Sequence, residues 1–132
     1  PTAHHLDAWE TGARLFNAGL YFQAHEIWEF RWRHLRPPDR AQVQAAILVC
    51  GCFVLIGKER MEPASRLAVL ATVRFSESAA EAELFQRRPR LELPGSDEAL
   101  LRVLAKLRSG EMDAEKILWE SRSLRAHVRK GE

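Results

Sequence analysis

The chain holds only two cysteines, one tyrosine, six prolines and seven glycines among 132 residues. Cys50 and Cys52 are too few for the disulfide lattice of a small secreted scaffold, and they stand two residues apart in an apolar run. On a helix they would point roughly 200° from each other, so they cannot easily bond or share a metal. Buried free thiols in a reducing cytoplasm are the expectation. Scarce glycine and proline argue against a loop-rich all-β fold and against disorder. Lysine occurs only at 58, 106, 116 and 130, so arginine carries most of the 20 basic residues. Codon bias in a GC-rich genome accounts for that; anion recognition by arginine forks is the sharper alternative. A net charge of +2 falls well short of a nucleic-acid-binding signature. The opening "PTAHHLDAWE" has no apolar leader, and the longest apolar run, 45–57, is shorter than the roughly 20 residues of a spanning helix. A cytoplasmic protein without a membrane partner is expected.

What is present is helical patterning. Hydrophobic residues make up 46% of a chain long enough to bury a core without a disulfide or structural metal. Trp9, Ala13, Phe16 and Leu20 form one helical stripe, predicting a first helix over 6–18 with Gly19 as its left-handed terminator. A second helix is expected from 21 or 22 to 35, stopped by Pro37 and Pro38. The short connection makes the two an antiparallel hairpin. A third, apolar nearly all round, runs 40–56 behind an Asp39 cap, with Gly57 ending it. Its "CGC" is small enough to admit another helix closely. Further helices are predicted at 63–85, at 97–108 behind Ser96, and from Asp113 to 128. The stretch "QRRPRLELPG" reads as a loop, and no strand is needed. The expected fold is a single all-α domain over 1–132, a compact bundle of five to six helices built on the N-terminal hairpin.

The stretch "YFQAHEIWEFRWR", 21–33, carries the one notable constellation. At about 100° per residue, Glu29 lies near +40° from His25, Trp32 near −20°, Trp28 near −60° and Phe22 near +60°. His25 and Glu29 therefore fall within an aromatic stripe, while Glu26, Arg31 and Arg33 reach solvent. A charge amid apolar groups is costly unless paired, and residues four apart can meet. Three readings follow. The pair is two ligands of a divalent metal, completed by His4, His5, His34, Glu77, Glu81 or a second subunit, since zinc wants three or four. It is a proton-transfer site in a cleft. Or it is a buried clip that fixes the hairpin. His4, His5, His34 and His127 read as solvated, and "RRPR" at 87–90 as a solvated basic loop or a phosphate contact.

His25, Glu29 and Trp32 spell H-x-x-x-E-x-x-W. Preceded by "LFNAGLYFQA", this closely resembles the signature of the uncharacterised prokaryotic domain of unknown function family 309, most specifically over 15–33. "VQAAILVCGCFVL" resembles that family's second helical block, with Gln44 in place and Ala45 where Gly is expected. "PGSDEALL" resembles a later segment, extending the likeness to about two thirds of the chain. The resemblance implies an all-helical fold and a suggested metal-binding motif; it implies no activity. "NAGLYFQAHEIW" also resembles one tetratricopeptide hairpin, through Gly19, Tyr21, Ala24 and Trp28. A single copy makes no array, but a protein-binding groove stays open.

The functional expectation is a divalent-metal or small polar ligand site at His25 and Glu29, roofed by Trp28 and Trp32. The alternative is a non-enzymatic interaction or scaffold module in which the pair is structural. A homo-oligomer is open, although no pattern demands one.

Overall fold

Helix α1 spans Ala3–Asn17 in the computed structural model, which describes residues 2–30, 32–82 and 88–130. A capping box starts it. The Thr2 hydroxyl accepts from the His5 N–H at 3.3 Å, and His5 Nδ1 accepts from the Thr2 N–H at 3.2 Å. His5 is thus half-buried and stacked on Trp9, not simply solvated. Trp9, Gly12, Ala13 and Phe16 form the buried stripe. Gly19, at φ 81°, ends the helix as expected. The Leu20 N–H reaches back to the Leu15 carbonyl and the Gly19 N–H to that of Phe16, satisfying the last carbonyls.

Helix α2 covers Tyr21–Glu29 and packs on α1 as the hairpin. It stops six residues short of the expected end. Phe30 is extended, at ψ 121°, and Trp32–His34 form a separate 3₁₀ turn. The cause is tertiary. The Trp32 indole N–H donates to the Arg40 carbonyl at 3.0 Å, and the Arg40 guanidinium lies 4.5 Å over its ring. Both partners belong to the next helix, so Trp32 leaves the α2 stripe.

Helix α3, Asp39–Gly57, is central, touching α2, α4, α6 and the 90–92 segment. Val43, Ala46, Val49, Cys50, Phe53 and Ile56 are fully buried or nearly so. Both thiols are buried; burial raises Cys50 strongly and pushes Cys52 up to about 12, so they are protonated and inert. Gly57 does not terminate the helix. That role falls to Glu59, held left-handed at φ 61°. Helix α4, Met61–Ala82, presents Ala64, Ala68, Ala71 and Phe75 to α3. A Cβ on Gly51 would stand 2.9 Å from Leu67 Cδ1. The small "CGC" step therefore does bring α3 and α4 close. The expected continuation of α4 to 85 lies outside the described residues.

Two short strands were not foreseen. β1, Arg90–Glu92, pairs antiparallel with β2, His127–Arg129, placing Leu91 opposite Val128. Leu91 is buried against the core, and Glu92 gathers Arg90 at 2.6 Å and His127 at 3.5 Å. Between the strands lie α5, Ser96–Arg108, α6, Ala114–Glu120, and a 3₁₀ turn, Ser121–Ser123. Gly95, not Ser96, occupies the cap position of α5. Asp113 caps α6, accepting from the Lys116 N–H at 3.1 Å. The helix expected to run to 128 ends at 120, because the following chain turns back to α1. There the Asn17 amide donates to the Ala126 carbonyl and accepts from its N–H, both at 2.8 Å.

One buried cluster runs from Trp9 to Ala126. Among the described residues the fold is an all-α bundle of six helices with a small two-stranded ribbon. Among the described residues α3 alone is long and apolar enough to cross a membrane, a test that a core helix also passes.

The "RRPR" loop is tied to the protein where it is described. Arg88 Nη2 lies 2.7 Å from Asp39 Oδ2, and Arg90 meets Glu92; Arg87 lies outside the described residues. Burial raises the Asp39 carboxyl above its ordinary 3.8, against the lowering pull of Arg88 and His5. The folded chain then holds a proton that the unfolded chain has lost. Asp39 therefore stabilises the fold on the acid side and loses that contribution as pH rises from 3.8 through the raised value. Asp39→Asn should flatten this part of the stability profile, measured by urea unfolding at a series of pH values. An unchanged slope just above pH 3.8 would refute the assignment.

Candidate functional site

His25 and Glu29 are one turn apart on α2, and the structure brings them together: His25 Nε2 lies 3.3 Å from Glu29 Oε2. The third member comes from the residue expected to point away. Glu26 Oε1 stands 3.4 Å from His25 Nδ1. One atom from each of these three residues falls within a 4.8 Å cluster. His4, His5, His34, Glu77 and Glu81 contribute nothing to it among the described residues. Glu77 instead pairs with Arg74 at 2.8 Å. The sequence held no signal for Glu26, because the early end of α2 is set by tertiary contacts. Carboxylates at i+1 and i+4 can both bend toward a histidine near a helix end, where no later turn crowds them.

The surroundings differ from the expected aromatic pocket. The Glu26 and Glu29 side chains are 59% and 55% exposed, so neither carboxylate is buried among rings. Trp28 does not roof the pair. It is 1% exposed, and its indole N–H donates to the Trp9 carbonyl at 3.2 Å. It fills the space left by Gly12, where a Cβ would come within 2.1 Å of Trp28 Nε1. Trp32 sits on its own turn, bound to Arg40. The ring that covers His25 is Phe22, stacked at 6.3 Å and itself 57% exposed.

The chemistry of the cluster follows from proton counting. A neutral imidazole has one N–H and one lone pair; only the imidazolium has two N–H groups. Here a carboxylate oxygen faces each ring nitrogen. Unless the ring is doubly protonated, one lone pair points at a carboxylate, and those charges repel. Nδ1 is buried and makes no hydrogen bond. A proton or a metal cation placed between it and Glu26 would remove the repulsion. Donor separations of 3.3 and 3.4 Å suit ligands about 2.1 Å from one ion. The two nitrogens diverge, however, so one ion takes only one of them and draws the other carboxylate from the far side.

Comparison with known proteins bears on the same segment. Residues 9–67 match the family described as a domain of unknown function, DUF309. This segment is a DUF309 domain. The match runs from Trp9 through α2 and α3 into α4, so it contains the whole cluster and the Trp9–Trp28 contact. It stops at Leu67, and the "PGSDEALL" stretch at 94–101 falls beyond the DUF309 match. No curated protein and no solved structure matched the chain.

Proposed function

We propose that the DUF309 segment holds a divalent cation, or a small polar ligand in its place, between His25, Glu29 and Glu26. The observation that supports this is the imidazole flanked by a carboxylate at each nitrogen, with Nδ1 lacking a hydrogen bond. One nitrogen and two oxygens on an exposed helix face leave the remaining positions to water. That donor set suits zinc or manganese, with the count of an open site, not a closed structural one. Trp28 has no free surface for the ligand, and the role expected of Trp32 passes to Phe22. A single domain over 1–132 and a cytoplasmic setting belong to the same reading, supported by one continuous core and two protonated buried thiols.

The test is thermal unfolding with manganese, zinc or magnesium. At one hundred times Kd a bound ion adds about 2.7 kcal/mol to stability, several degrees in Tm. His25→Ala and Glu29→Gln should abolish the rise, and Glu26→Gln should reduce it. Without metal, His25→Ala should cost under about 1 kcal/mol, because its carboxylate partners are more than half exposed. No response to any of the three ions, or the same response in His25→Ala, would remove the metal reading.

One observation favours the alternative of a non-enzymatic interaction module. Phe22 and Phe30 are 57% and 66% exposed at the two ends of α2, bracketing the cluster. In that role His25 clips Glu26 and Glu29 without an ion.

A further inference from the structure

A concave site lies outside the His25 cluster and shares no residue with it, although Tyr21 in its wall stands one turn before His25 on α2. A cleft of about 610 Å³ opens between the turn that joins α1 to α2 and the last helix, α6. Gly19 and Tyr21 form one wall; Lys116, Trp119 and Arg122 form the other. The volume is that of a small-molecule site.

Its chemistry is specific. Trp119 is 70% exposed, the most exposed of the large hydrophobic side chains described. The Arg122 guanidinium lies 5.1 Å over the Trp119 ring and close to Gly19, where a Cβ would stand 3.5 Å from Arg122 Nη2. Arg122 is therefore held over a ring, beside Gly19. Among the described residues it has no carboxylate within ion-pair distance. The other charges of the cleft are partly committed. Asp113 caps α6, and Lys116 Nζ faces Glu111 at 3.5 Å. Glu115 lines the same cleft, and among the described residues it forms no ion pair with the Arg122 guanidinium. Tyr21 packs edge-on against Phe16 and Phe53, which fixes its ring in the wall. Burial raises its hydroxyl above the ordinary 10, with Arg122 pulling down, so it is a neutral donor.

We propose that this cleft binds a small aromatic anion: a ring that lies on Trp119, joined to one carboxylate or phosphate group that pairs with Arg122. Stacking on an indole is tolerant of ring identity, while a guanidinium fork recognises both acid groups.

Tryptophan fluorescence of the full chain, titrated with AMP and separately with benzoate, distinguishes the two acid groups. Adenosine and inorganic phosphate each supply half of the recognised chemistry. Saturable binding of AMP or of benzoate, at least about tenfold tighter than either half, is expected. Arg122→Gln should weaken it about tenfold or more, and Trp119→Leu should remove both the signal and the affinity. His25→Ala should leave it unchanged even if the cation site fails its own test. Both substituted side chains are exposed, so both variants should fold; if Trp119→Leu does not, Arg122→Gln carries the result. AMP binding alone identifies a ring phosphate, and benzoate alone a ring carboxylate. Binding of neither overturns the proposal. So does adenosine or phosphate binding as tightly as AMP, or an Arg122→Gln variant with parental affinity.

Discussion

Trp28→Ala should lower the unfolding free energy by about 3–5 kcal/mol. The side chain is almost wholly buried, stacked on Phe16 at 5.7 Å, and hydrogen-bonded to the Trp9 carbonyl on the neighbouring helix. Its removal leaves a large void at the hairpin that carries the cluster. The complementary change is Gly12→Ala. Helix propensity alone predicts a gain of about 1 kcal/mol, since α1 replaces glycine with its best helix former. The new methyl, however, meets three indole atoms at 2.1 to 2.7 Å. Neither the ring nor the helix backbone can give by that much, so sterics win and the variant should lose about 1–3 kcal/mol. In a double-mutant cycle with Trp28→Ala the two costs should be far from additive, because the second change deletes the obstacle. Urea unfolding of the four proteins measures all of this. A neutral or stabilised Gly12→Ala would show that the helices are not packed this closely.

Asn17→Ala should be nearly as damaging and more local. One amide satisfies both backbone groups of Ala126, which is 109 residues away in sequence and buried. Truncation strands a donor and an acceptor, costing about 2–3 kcal/mol in total. Asn17→Asp keeps the acceptor but points an oxygen at the Ala126 carbonyl, and should recover only part. Hydrogen exchange should show lost protection at Ala126 and along the β1–β2 ribbon, while the α3 amides stay protected. Unchanged exchange at Ala126 would mean that the clasp does not hold the ribbon.

The site was half legible in the sequence. The pairing of His25 with Glu29 needs only helical spacing, and it is present. Its setting among tryptophans was not legible, for a simple reason. Those angles hold only if α2 continues through Trp32, whereas it ends at Glu29. Nothing local at Phe30 demands that break; it is imposed by Arg40, which captures Trp32 from the next helix. The same angles put Trp28 and Phe22 together in one stripe around His25. Trp28 turns inward to the gap at Gly12, and Phe22 remains at the surface over His25. Glu26 was assigned to solvent because it lies about 100° from His25. Its flexible side chain covers that distance.

Helix number, the inward face of α1, the buried thiols and the central place of α3 came from sequence alone. Each depends on periodic burial of apolar groups, which a single segment already encodes. Where α2 stops, what covers His25, and the β1–β2 ribbon were decided by the tertiary structure. Each depends on one group reaching a partner outside its own helix: Trp32 to Arg40, Trp28 to Trp9, Asn17 to Ala126. Such contacts leave no period in the sequence, because their geometry exists only after the helices have packed.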